Sequence, residues 1–158
     1  MPNPGKRTPY EGGIRTPSIA RWPDRLPAGK VYDGTVSMVD VLPTALAAAT
    51  GKPPDVADGV DLVPYLTGER QGSPHETLVW WDKAITDGAW AVRHGRWKLI
   101  GSGEEPAELY DLVEDIEEKT DRISQHPEIV KDLVARLKAW RQAGGAGDEK
   151  ASKRSGKK

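Results

Sequence analysis

Between Pro127 and Gly144 the apolar residues Ile129, Leu133, Leu137 and Trp140 recur at helical spacing, so they share one stripe of an amphipathic helix. Pro127 suits its first turn and Gly144 its end. Upstream the period shortens to two. Leu78–Trp81, Ala89–Arg93, Arg96–Ile100 and Glu108–Leu112 are short runs bounded by Gly, Asp or Pro, and they predict an antiparallel sheet. His94-Gly95 is placed as a two-residue hairpin turn, with Gly supplying a positive φ. Trp90 and Val92 then share a face that Trp97 and Leu99 meet across the pair, and the final helix needs such an apolar surface.

The first half is less regular. Ser37–Thr50 has apolar residues at 38, 39, 42, 46 and 49, with Ser37 and Asp40 placed as a capping box and Gly51 as the stop. Pro43 cannot donate to Val39, so the helix either kinks or starts near Asp40 with Pro43 in its first turn. Ser18–Trp22, ended by Pro23, reads as a strand. Residues 52–77 read as an irregular linker with a short turn at Leu62–Leu66, and they mark a domain boundary. The expected fold class is α+β.

Length and charge narrow the function. The chain has 158 residues, one ordinary domain or two small ones, with a formal net charge of −1 that argues against a general nucleic-acid binder. With no cysteine there is no disulfide framework, thiolate metal site or cysteine nucleophile, and the compartment stays open. No apolar run approaches the length of a membrane span, and the first residues lack the apolar stretch of a signal peptide. Charge is unevenly spread: residues 1–30 are net +4, residues 104–132 net −8, and Asp148–Lys158 net +3. A solvated face explains such asymmetry more often than a partner surface. Residues 143–158 carry no large apolar side chain and are expected to be a disordered basic tail.

Chemistry concentrates near the N-terminus. Lys6, Arg7 and Arg15 surround Glu11 in a turn-prone segment where Gly12-Gly13 lets backbone approach a ligand, and such a segment can hold an oxyanion. The plainer alternative is a solvated basic loop with Arg15 paired to Glu11. His75, His94 and His126 are isolated and fit loop or cap positions. The acidic stretch Glu104–Asp121 lacks a calcium-loop pattern and reads as a charged surface loop. Trp80-Trp81 could stack on a sugar ring, although one of two adjacent strand residues must face inward.

The segment Lys6-x-Thr8-x-Tyr10-Glu11-Gly12-Gly13-Ile14-Arg15-x-Pro17 closely resembles the C-terminal part of the formylglycine-dependent sulfatases. So do Trp22-Pro23, Pro27-Ala-Gly29, Val36-Ser37-x-x-Asp40-Val-Leu-Pro43-Thr44 and Gly59-Val-Asp-Leu62-x-Pro64-Tyr-Leu. The resemblance continues through Ala91-Val-Arg93-x-Gly95-x-Trp97-Lys98-Leu99 and Glu108-Leu-Tyr110-Asp111-Leu112, covering roughly residues 5–142 in order. Asp115-Ile-Glu-Glu-Lys-Thr-Asp departs from the family's commoner Asp-Pro-x-Glu-x-x-Asn run.

The resemblance implies that Lys6 is the catalytic-site residue, its ammonium contacting the sulfate group, while Glu11, Gly12, Gly13 and Arg15 shape and brace the loop. It implies that residues 1–77 are the remnant of a sulfatase α/β catalytic domain, with 78–142 the closing sheet and helix. Calcium and formylglycine are implied for the complete protein and none is expected to be bound by this chain. There is no Cys/Ser-x-Pro-x-Arg motif, and Asn3 is the single asparagine. The resemblance thus implies a C-terminal fragment, a truncated gene or one half of a split gene, inactive alone and partnered by the missing N-terminal half. The substrate implied is a sulfated small molecule or glycan, with no nucleic-acid or membrane partner. A phosphoester or phosphonate hydrolase of the same superfamily, or a non-catalytic carbohydrate-binding or interaction module, are the alternatives.

Overall fold

Backbone pairing in the second half of the chain forms an antiparallel meander of four strands, β1 (Thr77–Trp81), β2 (Ala89–His94), β3 (Trp97–Ser102) and β4 (Glu105–Asp111), in the order β1-β2-β3-β4. These come from a computed structural model that describes residues 8–55, 58–81 and 88–145. The expected runs are all present. His94 pairs with Trp97, so the hairpin's two loop residues are Gly95 and Arg96, one position later than the sequence placed them, with Gly95 at φ 56°. The pairing decides this, because His94 and Trp97 still meet across the ladder.

Alternation sorts the sheet into two buried faces. On one, Trp90, Val92, Leu99 and Leu109 pack against Leu133 and Leu137 of a helix spanning Pro127–Trp140. Ile129 and Trp140 join the same cluster, so the expected stripe is the one that covers the sheet. Removing each leucine from water contributes roughly 1.5–3 kcal/mol. After Trp140 the chain makes one further turn, Arg141–Gly145, ended by Gly144 at φ 87°. The rest of the expected tail, residues 146–158, lies outside the described residues.

The other face carries Ala91, Ile100, Tyr110 and Leu112, with Tyr10 and Trp80 packed against them. Tyr10 comes from the segment that leads into α1 (Glu11–Ile14), a single helical turn. The chain divides by its contacts into two units, and the described residues up to Thr16 belong with the sheet, whereas Pro17–Glu76 form the second unit.

That second unit is built around one carboxylate. A 3-10 turn (Met38–Asp40) leads into α2 (Val41–Thr50), which puts Pro43 in the first helical turn, where its missing N–H costs nothing. The helix therefore starts late rather than kinking, and Gly51 caps it at φ 83°. Asp40 is fully buried. Its carboxylate accepts the Ser37 N–H at 2.7 Å, the Val60 N–H at 2.9 Å and His75 Nε2 at 2.8 Å, so the helix start, a loop and the last residues of the unit meet at one side chain. The stretch after α2 holds α3 (Val63–Thr67), where the sequence suggested only a turn. Ser18–Trp22 is not a strand: among the described residues nothing pairs with it, and Ile19 is 94% exposed. A strand exists only by its ladder, and an isolated apolar run cannot supply the partner.

Candidate functional site

Glu11 opens α1 with a buried side chain, and Lys98 reaches it from near the start of β3. Lys98 Nζ donates to Glu11 Oε1 and to Glu118 Oε1, both at 2.8 Å, and its side chain is wholly buried. Glu118 turns its second oxygen to the backbone, where Oε2 accepts the Glu11 N–H at 2.6 Å. The three residues close a ring of hydrogen bonds in which each buried charge has an opposite partner, the condition under which burial of charge is tolerated. The Trp80 ring lies 5.9 Å from the ammonium and adds its π face to that surround.

Next to this ring, Tyr10 donates to Glu108 Oε2 at 2.5 Å and Tyr110 donates to the same oxygen at 3.0 Å. Burial, reinforced by the bond to Glu108, pushes both phenol pKa values well above the ordinary tyrosine range. Both phenols therefore stay protonated donors. Pro9 is buried as well, and Tyr10 and Glu11 tie two successive positions of the N-terminal motif to the sheet.

The remaining motif residues are set by that anchorage. Gly12 is exposed and Gly13 half-buried, both inside α1, where the Gly13 and Ile14 N–H groups donate to Tyr10 O and the Arg15 N–H to Glu11 O. Arg15 projects to solvent. It is not the partner of Glu11, whose carboxylate is taken by Lys98, so the Arg15–Glu11 pairing of the plainer alternative is replaced by a desolvated one. Lys6 lies outside the described residues.

The acidic stretch is more than a surface loop. Glu108 and Glu118 serve the anchorage, Asp121 Oδ1 accepts the Leu109 and Ile123 N–H groups, and Asp111 pairs with Arg96. That guanidinium holds the Asp111 carboxyl below the usual carboxylate range. Among the described residues no three His, Cys, Asp or Glu side chains converge as a metal-ligating group, and the chain has no cysteine. The described residues therefore do not fit the calcium, and a chain without cysteine does not fit the cysteine-derived formylglycine, that the resemblance implies. The histidines have structural partners: His75 holds Asp40, His94 Nδ1 lies 2.9 Å from Thr77 Oγ1, and the His126 ring sits 4.8 Å from that of Trp97. Trp81 faces the helix-covered core with the Arg141 guanidinium 3.9 Å from its ring, while Trp80 faces the Lys98 side, so packing uses both rings.

Lys98 and Glu118 were not among the candidates read from the sequence. Lys98 carries little signal, since alternation puts it on the face opposite Trp97 and Leu99, where a lysine ordinarily meets solvent, and only the covering of that second face makes it inward. Glu118 carries none, because its burial depends on a loop folding back over the sheet.

The family model for the C-terminal region of N-sulphoglucosamine sulphohydrolase matches residues 5–143. Human arylsulfatase A is 42% identical over 98 residues, which cover 60% of this chain and 19% of that protein. Dog N-acetylgalactosamine-6-sulfatase is 47% identical over 66 residues, covering 40% of this chain and 13% of its own length. The chain thus spans less than a fifth of either relative. Among solved structures, Ps i-CgsB superposes with a TM-score of 0.70 at 29% identity, over 86% of this chain and 31% of that one. The structure of Ps i-CgsB with k-i-k-neocarrahexaose gives a TM-score of 0.60 at 27% identity, over 75% and 27% of the two chains.

Proposed function

The chain belongs to the sulfatase family defined by the C-terminal region of N-sulphoglucosamine sulphohydrolase, and we propose that it is the closing portion of a sulfuric-ester hydrolase. One observation carries the reading: the motif that begins at Lys6 is locked, through Tyr10 and Glu11, onto the sheet that the family match also covers. In the complete protein, water is consumed, the sulfur–oxygen bond to the alcohol breaks, and inorganic sulfate and the free alcohol leave. Lys6 supplies a positive charge beside the sulfuryl oxygens, stabilising the negative charge that develops as the bond breaks. Glu11, Gly12, Gly13 and Arg15 shape the turn that follows it. The nucleophile and the metal belong to the part of the protein that this chain does not contain.

Residues 1–77 derive, on this reading, from the α/β catalytic domain, even though residues 8–16 pack with the sheet. Support comes from Ile19, Val31, Met38, Val41 and Leu42, five large apolar side chains that are more than half exposed in the 17–76 unit. A contiguous domain normally covers such residues. The substrate class is a sulfated small molecule or glycan, in keeping with the relatives named above.

The chain alone should not turn over an aryl sulfate, with or without added calcium. In the complete protein Lys6→Ala should lower the rate about a hundredfold or more, the order seen when one preorganised charge-stabilising donor is lost. An unchanged rate removes Lys6 from the site. Faster turnover of an aryl phosphate than of the matching sulfate would reassign the protein to phosphoester hydrolysis.

A further inference from the structure

We propose that Lys98 and Glu118 are positioning residues for the motif turn at Tyr10–Arg15: together they hold the backbone at Glu11 and so fix the turn that follows the motif lysine in sequence. The inference rests on the sulfatase reading and deepens it, since neither residue carries an assigned role in that chemistry.

Three observations converge. First, Glu118 uses its two oxygens for different tasks, one on the Lys98 ammonium and one on the Glu11 backbone N–H, so its carboxylate fixes a main-chain position as well as a charge. Second, Glu118 adopts φ 54°, the left-handed region where Gly or Asn is relaxed and a glutamate is strained. The loop holds it there: the Glu118 N–H donates to Asp115 O at 3.1 Å, and Asp115 Oδ2 accepts the Lys119 and Thr120 N–H groups. Backbone strain maintained around one buried carboxylate points to a task for that carboxylate. Third, Lys98 is the second residue of β3, opposite Arg93 of β2 and Tyr110 of β4, so the ring is tied to a strand that is paired on both sides.

Lys98→Met would strand two buried carboxylates and can fail to fold, so the test uses Glu118. Glu118→Gln keeps the volume but has only one acceptor oxygen, so it must give up either Lys98 or the Glu11 N–H. Glu118→Gly removes the carboxylate, relieves the left-handed strain and leaves the Lys98–Glu11 pair charge-balanced, which keeps the unit foldable. In the 158-residue chain, either variant should speed amide exchange at Glu11 and Gly13–Arg15 by about tenfold or more while β2 and β3 stay within about twofold. In the complete sulfatase, kcat should fall by one to two orders of magnitude with KM changed less than about twofold, and Glu118→Asp, which keeps both acceptor oxygens, should recover part of it.

Exchange that is unchanged, or that rises equally in β2 and β3, overturns the inference, the second outcome marking an ordinary structural role. So does a KM effect at constant kcat, or local loosening with full activity. Absence of sulfate-ester hydrolysis in the unaltered complete protein overturns the sulfatase reading and this inference with it. Exchange failure with that activity intact overturns the inference alone.

Discussion

Lys98 Nζ meets Glu11 Oε1 at 2.8 Å, closing a contact across 87 positions of sequence. Because Lys98 is the cation shared by two buried carboxylates, its removal leaves both uncompensated. Lys98→Ala should destabilise the sheet unit by about 3–5 kcal/mol, measured by urea unfolding. A loss below about 1 kcal/mol, the range of exposed pairs, would mean that the ring is hydrated in solution.

Leu133 is 1% exposed at the centre of the helix-covered face. Leu133→Ala should cost about 2–5 kcal/mol. Lys131, exposed on the same helix, should tolerate alanine within about 0.5 kcal/mol. Equal effects at both positions would show that the helix does not cover the sheet in solution.

Gly101 lies at the β3–β4 irregularity, where a Cβ would collide with the Trp90 ring and the Glu105 carbonyl. Both neighbours are fixed, one by burial and one by being backbone. Gly101→Ala should therefore destabilise by roughly 1–3 kcal/mol, as overpacking does, although the strand gains a better strand-former. A melting temperature equal to or above that of the parent chain would contradict this.

The phenols of Tyr10 and Tyr110 should govern part of the alkaline limit. Folding raises both pKa values, through burial and Glu108, with Asp121 adding negative potential at both and Glu118 at Tyr10. Their contribution is thus fully present below the unfolded phenol value of about 10 and is lost as pH rises through the folded values. Above pH about 10, the parent chain should lose stability with pH more steeply than a Tyr10→Phe/Tyr110→Phe variant. Urea midpoints that fall in parallel for the two proteins would refute the assignment.

The sheet and its covering helix were legible because each satisfies its own local pattern. Val92, Leu99 and Leu133 sit at the positions that alternation and helical spacing predict. The anchorage was not. Arg15 is four residues from Glu11 and Lys98 is 87 away, so any local reading favours the wrong partner. The strand expected at Ser18–Trp22 failed for a related reason, since apolar composition cannot announce whether a neighbouring strand is present.

Periodicity, the turn glycines and the family motifs were properties of the sequence itself, because they depend on steric preferences and spacings within a few residues. They determined the α+β class, the Leu133–Leu137 stripe, the helix stop at Gly51 and the kinship to sulfatases. Which carboxylates are buried, and which cation compensates them, was decided only by the tertiary structure. Glu11, Glu114, Glu117 and Glu118 are chemically the same side chain, yet Glu11 and Glu118 are desolvated against Lys98 while the other two are exposed. Desolvation depends on what the whole chain brings within a few ångströms, and no local pattern encodes that.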